Sequence, residues 1–122
     1  MIQIDGGKTA FAPGETLRGA VSWEGERSPG RVELRLFWYT TGRGSQDVGI
    51  VEVQQFPPAP RAEPIPFTFM LPAGPYSVAG QFIKVNWALE LVLRSNSCAE
   101  RFEFSMSPGG KPIELGSAII TG

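Results

Sequence analysis

The fold is decided by one stretch of sequence, Phe82-Ile83-Lys84-Val85-Asn86-Trp87-Ala88-Leu89-Glu90-Leu91-Val92-Leu93-Arg94-Ser95. Every second residue from Ile83 to Leu93 is apolar, which is the period of a β-strand with one face in a core. The residues between them are mostly polar, so we expect the other face of this strand to look toward water. A strand of this length is expected to bend or to run through the centre of a sheet.

Shorter alternating runs make up the rest of the chain, and glycine or proline closes each of them. With the long stretch they predict about eight strands, at 2–4, 16–23, 31–40, 48–56, 65–71, 82–95, 101–106 and 113–120. The alternation in 48–56 is blurred, so the pattern predicts that strand without its register. Helical periodicity is missing, and the strand spacing predicts an all-β, immunoglobulin-like sandwich of two antiparallel sheets.

The apolar positions of these runs predict the core of the sandwich. They are Leu34, Leu36, Trp38, Phe67, Phe69, Val85, Trp87, Leu89, Leu91, Phe102 and Phe104. All three tryptophans, Trp23 included, fall on inward positions, which favours core packing over an exposed aromatic platform. Gly19 lies inside the run at 16–23 and indicates a bulge or the close approach of another backbone.

The length of 122 residues suits one domain, and we predict a single domain over 1–122. The 11 basic and 12 acidic residues leave a net charge of -1 without a basic run, so the composition excludes a surface that binds nucleic acid or anionic lipid by charge. The sequence starts without the features of a signal peptide, and no apolar run could span a bilayer. With a single cysteine, we expect a cytoplasmic protein without a transmembrane segment.

The residues that enzymes and metal sites need are scarce in this chain. It has no histidine, which excludes catalysis by a Ser/His or Cys/His pair, and its one cysteine supplies no metal cluster. Glu33, Glu90 and Glu103 fall on outward positions among arginines and lysines, where solvated cross-strand ion pairs are expected rather than a general acid and base. We therefore predict a protein that is not an enzyme and has no cofactor and no metal; a hydrolase is the remote alternative.

Two stretches carry a resemblance to a known family. Phe11-Ala12-Pro13-Gly14-Glu15-Thr16-Leu17-Arg18-Gly19 resembles the arrestin-fold segment in which a Pro-Gly-Glu turn precedes a strand. Phe67-Thr68-Phe69-Met70-Leu71-Pro72, followed by Pro75, Ser77, Gly80 and the long strand, is similar to the second hallmark of that family. The chain thus resembles a single lobe of the arrestin-like β-sandwiches, such as arrestin N-terminal-type domains and bacterial sporulation-control proteins. The resemblance implies a scaffold that binds other proteins without catalysis.

The departures from that family limit what the resemblance implies. Arrestins proper have two lobes with a buried charged cluster that senses phosphate, whereas this chain has the length of one lobe. Phosphate sensing is therefore not expected. No tyrosine follows Pro57 and Pro58 at the spacing of the Pro-Pro-x-Tyr motif, so recruitment of ubiquitin ligases is not expected either.

One face of the strand at 31–40 is the candidate surface for a partner. Phe37 and Tyr39 alternate outward on this strand beside Arg35, and Arg43 lies in the glycine-rich turn that follows. Apolar rings exposed together on one face mark a contact surface. We expect the partner to be a protein, either a different one or a second copy of this chain.

Two alternatives remain open from the sequence. Residues 57–61 either match a polyproline ligand with a trailing cation or form a plain linker, and the proline-rich segment 57–66 is expected to guard a sheet edge. The second function class is a small ligand-binding sandwich such as a carbohydrate-binding module. Buried tryptophans would favour protein binding, whereas a solvent-facing tryptophan platform would favour sugar binding.

Overall fold

The structure is a computed structural model that describes residues 1–23, 31–42, 46–56, 61–80, 83–93, 97–109, 111 and 113–114. Arg43, most of the proposed polyproline segment and the end of the last predicted strand lie outside the described residues.

Strands account for nearly all the regular structure in these ranges. A 3-10 turn at Asp5–Gly7 is the one helical element there, and the all-β prediction is confirmed. The strands are β1 (Ile2–Ile4), β2 (Ala10–Phe11), β3 (Thr16–Trp23), β4 (Val32–Gly42), β5 (Val48–Phe56), β6 (Arg61–Met70), β7 (Val78–Ala79), β8 (Ile83–Leu93), β9 (Ser97–Met106) and β10 (Ile113–Glu114). These ten exceed the predicted eight because β2 and β7 are two-residue strands without a readable alternation.

The strands form two sheets. The small sheet has the order β1-β3-β6, and the large sheet has the path β10-β7-β8-β4-β5, with β9 paired to β8 and to β2. The long stretch β8 is central, because β4 occupies one of its edges while β7 and β9 share the other. The main pairings are antiparallel as predicted, but the short pairs β2–β9 and β10–β7 are parallel.

The two sheets enclose one core, and most of the predicted core residues are in it. Leu17, Val21, Phe67 and Phe69 of the small sheet meet Leu34, Leu36, Trp87, Leu89, Leu91 and Phe104 of the large sheet. Trp38 and Phe102 are partly buried against this cluster. The prediction fails at the start of β8, where Val85 is half-buried and Ile83 is 43% exposed, because this strand extends past the core.

The outer face of β8 looks toward water only in part: Lys84 is exposed, and Asn86 and Glu90 are half-buried. Ala88 and Val92 are buried on that face. In the antiparallel register with β4, Ala88 lies opposite Phe37 and Val92 lies opposite Glu33. Small side chains on a central strand become covered because larger side chains on both flanking strands lie over them.

The two stretches that carry the family resemblance lie side by side. Gly14, with φ of +80°, turns the chain, and its N–H donates to the Leu71 carbonyl at 3.1 Å. The Leu71 N–H in turn donates to the Glu15 carbonyl at 3.0 Å. Farther along β3, Gly19 pairs with Phe67. A Cβ on Gly19 would lie 2.2 Å from the Gln3 carbonyl oxygen. The close backbone approach predicted at Gly19 is therefore confirmed.

The β4–β5 hairpin has the register that the sequence left open. Tyr39 lies opposite Val48 and Val32 opposite Phe56, with a register shift that leaves Val51 as a bulge. The Trp38 indole covers Gly49, where a Cβ would lie 2.2 Å from the Trp38 Cε2 atom. Only glycine fits there, so the tryptophan determines which residue β5 presents to the interior.

Candidate functional site

The outer face of the large sheet carries a cluster of rings under a cation. The side chains of Phe37 and Tyr39 alternate outward on β4, with ring centroids 5.9 Å apart. The guanidinium of Arg101, on β9, lies 5.3 Å from the Phe37 centroid and 5.4 Å from the Tyr39 centroid. One arginine thus covers both rings in a cation–π arrangement, which contributes about 0.5–1 kcal/mol at a partly exposed site.

Carboxylates hold the arginines of this face in place. Glu90 accepts a hydrogen bond from Arg101 at 2.8 Å across the β8–β9 pair, so the predicted cross-strand pairing is confirmed there. Glu33 instead pairs along its own strand, with Arg35 at 3.0 Å. It is 6% exposed and not solvated as predicted. Paired charges in fixed geometry leave a surface whose arginines are already oriented.

The Tyr39 hydroxyl is part of the same network. It donates a hydrogen bond to the Glu103 carboxylate, the third carboxylate of this face. Burial raises the pKa of the Tyr39 hydroxyl, and the hydrogen bond and negative charge of Glu103 raise that pKa further, against the lowering effect of Arg101. Tyr39 is therefore a neutral hydrogen-bond donor at physiological pH.

The structure brings three of the four predicted surface residues together, on β4. The expected exposure was wrong for Phe37, which is 7% exposed because Arg101 and the neighbouring strands cover its ring. Tyr39 and Arg35 are half-buried. The fourth residue, Arg43, lies outside the described residues. A role of these residues in partner binding stays a prediction.

The most exposed apolar surface lies on the neighbouring strand, where the sequence reading missed it. Val48 is 64% exposed, Ile50 58%, Val51 42% and Val53 39%; we call these four side chains the edge patch. Val48, Ile50 and Val53 point to the outer face, opposite Tyr39, Phe37 and Arg35. The blurred alternation at 48–56 was the sign of this exposed surface in the sequence. Aliphatic residues at both odd and even positions of an edge strand lie on both of its faces, so they cannot all reach one core.

A shallow concavity joins the edge patch to the ring cluster. Its lining consists of Arg35, Phe37, Val48, Ile50, Glu90 and Arg101. The lining combines apolar side chains with Arg35 and Arg101, each of which is paired with a glutamate.

Other kinds of site find no support in the described ranges. No group of three or more His, Cys, Asp and Glu side chains is placed to hold a metal there. Trp23 and Trp87 are buried, and Trp38 packs against the core, so these residues form no sugar-binding platform. No helix among the described residues has the length and apolarity needed to cross a membrane.

Comparison with known proteins bears on the fold. No protein-family model matches the chain, and no curated protein matches it in sequence. The crystal structure of Spo0M, a sporulation control protein from Bacillus subtilis, is similar with a TM-score of 0.59 at 17% sequence identity. The fold is an arrestin-like β-sandwich. The match covers 88% of this chain and 48% of the Spo0M chain, so this chain spans about half the length of the solved structure.

Proposed function

We propose that this chain is a non-enzymatic regulatory module that acts in the cytoplasm by binding a protein on the edge patch and the adjoining concavity. The observation that carries the proposal is the edge patch, with four aliphatic side chains exposed along one strand. Single exposed apolar residues are ordinary, but contiguous ones rimmed by polar groups mark protein contacts. Covering them removes apolar surface from water, which favours association.

The surroundings of the edge patch have the anatomy of a protein interface. Apolar side chains occupy its centre, and the ion pairs of Glu33 with Arg35 and of Glu90 with Arg101 border it. Interfaces combine an apolar centre with a polar rim and are enriched in aromatic residues and arginine. Because Arg101 is held by Glu90 and by two rings, little of its conformational freedom remains to be lost on binding.

Site-specific photo-crosslinking tests this proposal. A photoreactive phenylalanine in place of Ile50 should form covalent products with a protein in cells that express the chain. The matched control carries the same group in place of Met70, which is 74% exposed on β6 of the small sheet. Products from position 50 but not from position 70 are expected. No protein product at position 50, or equal yields at both positions, would contradict binding at the edge patch.

A further inference from the structure

The ion pairs beside the edge patch have their arginines on the outside and their glutamates underneath. The Glu33 side chain is 8% exposed, whereas Arg31 and Arg35, which both pair with it, are 71% and 24% exposed. In the second pair, Glu90 is 15% exposed and Arg101 is 43% exposed. Although these charges partly cancel, a molecule that approaches this face meets guanidinium groups before it meets carboxylates.

The positions of the strands explain this order of charges. Glu33 lies on β4, which β5 and β8 flank on its two sides. Glu90 lies on β8, opposite Arg35 of β4 on one side and opposite Arg101 of β9 on the other. The glutamates therefore lie among longer side chains, and an arginine side chain reaches past such neighbours to place its charge at the surface.

The concavity between these arginines and the edge patch has the size of a single side chain. Its volume is about 200 Å³, and Phe37, Val48 and Ile50 form the apolar part of its lining. Pockets for small-molecule ligands usually enclose about 300–1,000 Å³, so this one is too small for that role. It suits one apolar side chain of a partner, which is how the central contacts of protein interfaces are commonly built.

The charges around the concavity select the kind of partner. A guanidinium group has five N–H donors, so an arginine that is paired with one carboxylate can also bind a second one. A nucleic-acid backbone would need a longer basic stripe than this face offers. Glu103 is exposed on the same face, but it accepts the Tyr39 hydroxyl and is not among the residues that line the concavity. The surroundings of the concavity therefore complement an acidic protein segment.

We infer that the edge patch and the concavity bind an acidic segment of a partner protein, which places one aliphatic or aromatic side chain beside Ile50 and pairs its carboxylates with Arg31, Arg35 and Arg101. This inference rests on the proposed function and adds the chemistry of the partner. It requires that binding favour negative charge and weaken with salt.

Selection of random peptides displayed on phage tests the inference without a known partner. The purified chain is immobilised, and the selected peptides are kept only if they lose binding to Ile50→Ser, which removes an exposed apolar side chain of the edge patch. Compared with the unselected library, these peptides should be enriched in Asp and Glu close to an aliphatic or aromatic residue. Enrichment in Lys and Arg would contradict the inference.

Fluorescence anisotropy of one selected peptide measures the part played by each arginine. Arg31→Gln and Arg101→Gln should each weaken binding about two- to fivefold, which is the effect of one exposed ion pair. The matched control is Arg18→Gln, which removes an exposed arginine from the small sheet and should leave the affinity unchanged. Raising NaCl from about 0.05 to 0.5 M should weaken binding to the parent more than binding to the double variant, because salt screens exposed charges.

The outcomes separate this inference from the proposed function. Peptides that depend on Ile50 but have no excess of Asp and Glu, or equal effects of Arg31→Gln and Arg18→Gln, would sink the inference and leave the proposed function standing. A selection that yields no peptide dependent on Ile50 would count against both. Circular dichroism checks that each variant is folded, and the test on Arg31 holds even if Arg101→Gln disturbs the ring cluster, because Arg31 is the more exposed of the two.

Discussion

At the scale of single residues, Arg101 decides how much of the outer face is apolar. Its guanidinium lies over Phe37 and Tyr39 and is held by Glu90. The long side chain buries its stem against the rings and keeps its charge at the surface. An aromatic residue that points away from the sandwich core is thereby buried all the same, and it should contribute to stability as a core residue does.

Phe37→Ala should therefore lower the free energy of unfolding by about 3 kcal/mol, through lost burial and the cavity left under Arg101. Urea unfolding followed by tryptophan fluorescence measures the loss. Met70→Ala, at an exposed position, should change the free energy by less than about 0.5 kcal/mol. Equal, small effects of the two substitutions would mean that the Phe37 ring is not covered in solution.

At the scale of elements, the turn between β2 and β3 is held by a carboxylate. Glu15 Oε1 accepts a hydrogen bond from the Ala12 N–H at 2.9 Å, and Lys8 donates to the same carboxylate. The hydrogen bond from Lys8 lowers the pKa of Glu15, with a further lowering from the Ala12 N–H, against the raising effect of desolvation. The ionised carboxylate therefore stabilises the turn whose backbone is hydrogen-bonded to Leu71.

This direction of shift determines a pH dependence. A carboxyl group whose pKa is lowered by folding contributes stability above its unfolded pKa, and that contribution is lost as the pH falls through the folded pKa. Glu15→Gln should thus cost less than about 1 kcal/mol near pH 7, since the pair is partly exposed, and progressively less from about pH 5 downward. Urea unfolding at several pH values measures this difference.

Lys8→Met is the matched control for that prediction, because it removes the same ion pair from the other side. The double variant should lose little more stability than either single variant, since both remove one interaction. Additive losses, or a cost of Glu15→Gln that stays constant down to pH 2, would contradict the role of the charged pair.

At the scale of the whole molecule, the small and large sheets stabilise each other through one core. Leu17 of β3 and Leu89 of β8 lie on opposite sheets and are both fully buried in the same cluster. Neither sheet buries its apolar face without the other. The chain should therefore unfold as one unit.

Leu17→Ala and Leu89→Ala should each cost about 2–5 kcal/mol, although they belong to different sheets. Each variant should keep a single urea transition, with far-ultraviolet circular dichroism and tryptophan fluorescence changing together. Two separate transitions in either variant would show that the sheets unfold independently. A loss of unfolding free energy below about 1 kcal/mol would mean that the substituted leucine does not lie in a core shared by the two sheets.

Much of the fold was predictable because it depends on local periodicity. The bounds of β1, β3 and β5 match the prediction, and the turn at Gly14 precedes β3 as the resemblance implied. The candidate site was predictable only in part. Arg35, Phe37 and Tyr39 do share the outer face, but the pattern could not show that a cation from β9 covers the rings.

The sequence by itself determined the all-β class and most of the inward residues of the long strands, because alternation records which face of a strand meets a core. Only the tertiary structure decided which strand ends the large sheet and which outward residues stay exposed. Those properties depend on neighbours distant in the chain: Arg101 covers Phe37, whereas Ile50 on the next strand is 58% exposed. An alternation with a period of two shows that the two faces of a strand suit different environments. Tertiary packing decides which environment each face meets.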